Sequence, residues 1–265
     1  MVPTHHALAR TGRTSARARA ESAGSDSSLA YDGSMGHPLV PATADVPAGC
    51  FVMGSAAGRP DESPPHEVRV GGFRLGLTPV TNAQYAPFLA DGRAAVPPWW
   101  RETSFAAPDQ PVVGVTWFDA CEYARWLGEA AGGSWRLPTE AEWERAARGG
   151  LHGAPTAWGP ALPPGEVPDG ALTGPWPAGR GTPNAYGLLD VGTIVHEWCV
   201  DWYAAGYYAS SPTFAPAGPG EGERRASRGG SWRHHVRWSS PSARSSLPPG
   251  FRYADYGFRV LREPA

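Results

Sequence analysis

Two adjacent histidines, His234 and His235, follow an Arg-Gly-Gly-Ser-Trp turn at Arg228–Trp232, and a further histidine, His196, stands upstream within Ile194-Val195-His196-Glu197-Trp198. Neutral imidazole is a common ligand for iron, copper and zinc, and two imidazoles with one carboxylate make the facial set of non-haem iron. Successive residues of an extended segment point to opposite sides, so if His234 faces a cavity, His235 does not. The competing reading makes His196 a packed residue with a satisfied hydrogen bond and His234 a surface residue. Ser231 is either a site hydroxyl or a turn residue bonding its own backbone. The sequence does not name a carboxylate for the set.

Other chemistries find less support. All 23 basic residues are arginine, which rules out lysine as base or Schiff-base former. The three cysteines, Cys50, Cys121 and Cys199, are far apart and odd in number, so neither a disulfide framework nor a thiolate zinc site is indicated, and a reducing, cytoplasmic compartment fits. Cys121 falls in an amphipathic helix and Cys199 beside Trp198, where thiols are normally inert. No Ser-His-Asp order or His-Glu-x-x-His pattern supports a hydrolase. A net charge of -2 offers no broad basic field for nucleic acid or an anionic membrane, and no apolar run approaches the roughly 18 residues of a membrane span. The arginines Arg228, Arg233, Arg237 and Arg252 read as scattered and solvated.

The elements that must position these residues are short. Thr139 with Glu142 forms a capping box for a helix that Gly149 and Gly150 end. Thr116 caps a second helix, with Ala120, Ala124 and Leu127 on one face and Gly132 at its close. Thr81 caps a third, which Pro87 should end or kink. Strands are expected at Phe51–Gly54, His66–Val70, Phe73–Leu75 and Gly257–Leu261. With 34 glycines, 29 prolines and 12 tryptophans, the chain predicts a loop-rich, aromatic-packed α+β domain from Val46 to Ala265, behind a disordered tail over residues 1–45. The stretch from His152 to Pro183 is too long for an unsupported loop and needs a metal or its own aromatics, Trp158 and Trp176, to hold it.

Four motifs together carry a resemblance that covers Val46 to Arg262. They are Val46-Pro-Ala-Gly-Cys-Phe-Val-Met-Gly-Ser55, the helix segment Arg136–Gly150, the segment Asn184–Tyr203, and the closing pair Arg228–Trp232 with Gly257–Val260. In these the chain resembles the formylglycine-generating enzyme, or sulfatase-modifying factor, family. The resemblance implies a single C-type-lectin-like fold with little regular secondary structure. It also implies a structural calcium ion held by the side chains of Asp190 and Glu197 and by carbonyls between them, at Thr193 and Val195. Thr193 and Ile194 replace the usual Gly-Asn there.

Family members range from formylglycine generators and sulfur-transferring oxygenases to natural-product enzymes and non-catalytic binding proteins, so the site must decide. The generators bind copper through two cysteines after the Gly-Gly-Ser turn. Their positions correspond to His234 and Ser239 here, and thiolate redox chemistry is not replaced by imidazole or hydroxyl. Formylglycine generation is therefore not expected. By the same resemblance His196 stands where a pocket tryptophan is usual, which brings His196 and His234 to one cavity, with Ser231 and Trp232 beside it and Arg244 in the segment closing over it; Trp238 is a further candidate for its floor. Two readings follow. One is a monomeric oxidoreductase with a histidine-held iron or copper, acting on a small molecule or peptide in a biosynthetic pathway. The other is a non-catalytic module binding a ligand or protein on the same scaffold.

Overall fold

The computed structural model describes residues 40–163, 172–235 and 239–264. Within them the chain forms β1 (Thr43–Val46), β2 (Gly49–Met53), β3 (His66–Val70), β4 (Phe73–Gly76), α1 (Asn82–Ala90), α2 (Trp117–Ala131), β5 (Trp135–Arg136), α3 (Glu140–Arg148), β6 (His196–Trp202), β7 (Arg225–Arg228), β8 (Arg244–Leu247), β9 (Tyr256–Gly257) and β10 (Leu261–Arg262). Val46 is the expected start of the domain, but β1 begins at Thr43, because Ala44 and Val46 both turn into the core while the strand pairs with β4 from Thr43↔Gly76 to Val46↔Phe73. The rest of the expected tail, residues 1–39, lies outside the described residues.

Each expected cap is present, with Thr81, Thr116 and Thr139 each accepting from the backbone N–H three residues on. The residue at that third position returns the bond in each case: Gln84, Asp119 and Glu142 accept from the cap's own N–H, so two orphan donors are satisfied at every start. Helix α1 does not stop at Pro87 but runs on to Ala90. Its buried Tyr85 and Phe88 pack against Tyr123 and Trp126 of α2, and this aromatic contact outweighs the missing N–H.

Strands β1, β4, β10 and β5 make one sheet, β2 and β3 a hairpin, and β8, β7, β6 and β9 a second four-stranded sheet in which β6 runs parallel to β9. The last of these carries the candidate site. The expected strand Gly257–Leu261 is split into the end of β9 and the start of β10, and the other strands of this sheet are not expected from sequence, for a physical reason. Residues 196–199 of β6 are all buried, so the strand shows no alternation, and β7 and β8, Arg-Ala-Ser-Arg and Arg-Ser-Ser-Leu, lack the β-branched and aromatic residues that mark a strand.

Ion pairs hold this sheet to α3. Glu140 accepts from Arg244 at 3.0 and 2.7 Å, Glu144 accepts from Arg148 and Arg228, and all five side chains are buried. Arg228 is thus not the solvated residue expected, since its guanidinium also donates to the Ser242 and Ala243 carbonyls. Arg259 grips Glu197 of β6 with two bonds of 2.6 and 2.8 Å. Buried charges persist in this way only when paired and hydrogen-bonded. The loop after α3 is held by its own aromatics: Trp158 donates to the Thr182 carbonyl and Trp176 to Asp190. No helix among the described residues is long and apolar enough to cross a membrane.

Candidate metal centre

Four backbone hydrogen bonds assemble the site. The His196 N–H donates to the Asp255 carbonyl at 2.9 Å, just where β6 and β9 run side by side, so these two residues become neighbours. After β7 the chain turns at Gly229, and Gly230 and Trp232 donate to the Gly192 and Ile194 carbonyls, fastening the turn beside the entry to β6. Gly229 has a φ of 79°, and a Cβ there would meet the Gly192 Cα at 2.9 Å, so glycine is required both for the turn and for this approach. The His234 N–H then donates to the Ser231 carbonyl, which folds the histidine back over the turn.

The side chains converge. His196 Nδ1 lies 2.6 Å from the Gly229 carbonyl, which can only accept, so Nδ1 carries the proton and Nε2 presents a lone pair. Nε2 lies 3.0 Å from His234 Nδ1, and His234 Nε2 lies 3.6 Å from Asp255 Oδ2. One ligand atom from each of His196, His234 and Asp255 falls within 4.8 Å of the others. Tyr256 packs on the His196 ring, with centroids 4.8 Å apart, and restrains its rotation. Burial holds the His196 imidazole well below its ordinary range, at about 4; Asp255 opposes this, while His234 and Arg59 add to it. The ring is therefore neutral at physiological pH, the form that ligates a metal. A pocket of about 250 Å³, lined by Arg59, His196, Gly229, His234, Ala243, Arg244 and Ser245, opens onto the pair.

Asp255 is the carboxylate that sequence reasoning did not supply. Its only signal was a place two residues before the closing Gly257-Phe258-Arg259-Val260, and the parallel pairing that carries it to His196 leaves no mark in local sequence. His235 is exposed and does not line the pocket, although the segment is a turn and not the extended stretch that the alternation argument assumed.

Three expected site residues stand elsewhere. Ser231 is fully buried and donates to Asp255 Oδ2 at 3.2 Å, so it lies behind the carboxylate rather than on the substrate side. Trp232 packs with Phe105, Val113, Ile194 and Val195 and donates to the Ala254 carbonyl, which makes it core under the site. Arg244 borders the pocket, yet its guanidinium points inward to Glu140, the Asp61 and Ala204 carbonyls and the faces of Tyr203 and Tyr208. With these donors engaged it is not a substrate ligand. Arg237 and Trp238 lie outside the described residues.

The expected calcium residues form a second group. Asp190 is buried with a left-handed φ of 56°, accepts from Gly179 N–H and Trp176, and is pushed above the usual carboxylate range by burial, with Glu197 adding to the effect. Glu197 accepts from Arg259 twice and from Trp143 Nε1 at 2.6 Å. A carboxylate offers about four acceptor positions, so one remains on Glu197 and two on Asp190. Thr193 Oγ1 is buried with no hydrogen-bond partner among the described residues, and Val195 is fully buried. Hard oxygens with excess buried negative charge at Asp190 suit calcium.

The fold and site define a loop-rich C-type-lectin-like domain with a two-histidine, one-carboxylate cluster at its second sheet. The sequence model of the family described as "Sulfatase-modifying factor enzyme 1-like domain" matches residues 34–264, and the chain belongs to that family. It is 37% identical to the formylglycine-generating enzyme of Streptomyces coelicolor over 284 aligned positions, covering 82% of this chain and 88% of the relative. Among solved structures, PvdO from Pseudomonas aeruginosa superposes with a TM-score of 0.74 at 27% identity, covering 84% of this chain and 95% of that one. Treponema denticola variable protein 1 superposes with a TM-score of 0.69 at 23% identity, covering 84% of this chain and 95% of that one, a likeness of fold alone.

Proposed function

We propose that this chain is a metal-dependent oxidoreductase of the family that does not generate formylglycine, and that His196, His234 and Asp255 hold its iron or copper. The observation that carries the reading is the 3.0 Å approach of His196 Nε2 to His234 Nδ1 with Asp255 alongside. Two imidazoles and a carboxylate suit iron most directly, and imidazole also suits copper. When bound, such a metal supplies redox chemistry that no side chain of the site has on its own. The chain's own contribution is positional: Gly229 fixes the His196 tautomer, Ser231 orients Asp255, and Tyr256 restrains the His196 ring. The substrate is a small molecule or peptide, the compartment cytoplasmic and the protein a monomer without nucleic-acid or membrane partners. A structural calcium ion at Asp190, Thr193, Val195 and Glu197 belongs to the same reading.

Metal analysis of purified protein tests it. Stoichiometric iron or copper is expected, lost in His234→Ala and Asp255→Asn and kept in His235→Ala. Calcium alone, or transition metal that survives His234→Ala, would favour the non-catalytic binding module instead.

A further inference from the structure

Two larger pockets adjoin the one over His196 and His234, with Arg59, which donates to the Arg244 carbonyl, at both junctions. On one side the histidine pocket shares Arg59 and Ser245 with an open pocket of about 690 Å³, lined also by Tyr203, Arg224 and Ser246. On the other it shares Arg59 and Ala243 with a groove of about 1040 Å³, whose wall includes Val52, Ala56, Pro65, Pro155 and Leu162. The two arms differ in chemistry. The second exposes mainly apolar surface, from Val52, Ala56, Pro155 and Leu162 among others, although Arg59, Glu62 and Arg148 also line it. The first holds the charges of Arg59, Asp61 and Arg224, of which Asp61 is already engaged by Arg59 at 3.1 Å and by the Tyr203 hydroxyl at 2.7 Å.

Arg224 differs from the other two. Among the described residues no carboxylate lies within ion-pair distance of it, although it is exposed. Its Nε donates to Ser246 Oγ at 2.9 Å and its Nη2 to the Ser246 carbonyl, so one edge of the guanidinium is tied to β8. A tethered arginine loses less freedom on meeting an anion than a free one does, and its remaining edge matches a carboxylate.

We infer that Arg224 anchors a carboxylate of an elongated substrate whose other arm is apolar and lies along Val52, Pro155 and Leu162, so that the group between them rests over His196 and His234. This deepens the proposed function and rests on it for the place of the reacting group; binding itself does not require the metal. The class is an amphipathic carboxylic acid, such as an acylated acidic amino acid.

Calorimetric titration of metal-free protein separates the two ideas, since metal retention is measured independently. The probes are N-octanoyl-glutamate, its uncharged diamide and N-acetyl-glutamate. Octanoyl-glutamate is expected to bind at least about tenfold more tightly than either of the others, the size of one charge-assisted hydrogen-bonded contact or of burying about two of its extra methylenes. Arg224→Gln should remove the advantage over the diamide and leave the melting temperature unchanged, because the side chain is exposed. No binding by the wild type, equal binding of acid and diamide, or an unaltered affinity in Arg224→Gln would each overturn the proposal. Equal binding of the acetyl and octanoyl compounds would overturn the apolar arm.

Discussion

Arg244→Ala separates a structural arginine from a substrate-binding one. The substitution removes two bonds to Glu140, at 3.0 and 2.7 Å, and the donors to the Asp61 and Ala204 carbonyls, and leaves Glu140 as a buried carboxylate facing a cavity with only Arg228, at 3.9 Å, still near it. Breaking one side of a buried ion pair costs about 3–5 kcal/mol. For a domain of this size each kcal/mol shifts the melting temperature by roughly 2–4 °C, so the expected fall is about 6–20 °C by circular dichroism. Glu140→Gln should cost less, because an amide keeps an acceptor for the guanidinium, and the double variant Glu140→Leu with Arg244→Met should recover part of the loss, as replacing both members of a buried pair often does. A fall of under about 2 °C in Arg244→Ala would refute the reasoning and return Arg244 to the substrate side.

Four further outcomes are expected. In native protein at neutral pH a thiol reagent should modify Cys50 and spare Cys121 and Cys199, because Cys50 is exposed while burial pushes Cys121 up to about 12 and Cys199 well above the usual thiol range; modification of all three before denaturation would contradict the packing. Incubation with a sulfatase-type peptide, with or without copper, should leave its cysteine unconverted by mass spectrometry, since no cysteine follows Cys199. Chelation of calcium should lower the melting temperature, by about 2.7 kcal/mol of stability if the ion was present at a hundred times its dissociation constant; an unchanged transition would remove the calcium assignment. Ser231→Ala should weaken metal affinity about tenfold in a chelator competition without loss of fold, the usual effect of removing a partner that orients a ligand.

The helices were legible because their signals are local: Thr81, Thr116 and Thr139 each bond a residue three places on. The hairpin β2–β3 was legible for a similar reason, with Phe51 and Met53 inward and Cys50 and Val52 outward. The site-bearing sheet was not, because Arg228 looks like a surface residue and Arg244 like a substrate ligand until Glu144 and Glu140, more than 80 positions away, neutralise them. The site divides in the same way. His196 and His234 could be named from type and position, whereas Asp255 reaches them through a two-residue parallel pairing that no periodicity announces.

The ion-paired construction of that sheet bears on how the molecule behaves when heated. Apolar burial, which holds α1 to α2 through Tyr85, Phe88, Tyr123 and Trp126, gains little further strength as temperature rises. The hydration that Arg228, Arg244, Glu140 and Glu144 give up on folding becomes less favourable over the same range, so their burial costs less in the heat. Warming therefore lowers the desolvation cost of the pairs that fasten the strands carrying His196 and the Gly229 turn to α3, while the aromatic contacts between α1 and α2 gain nothing comparable.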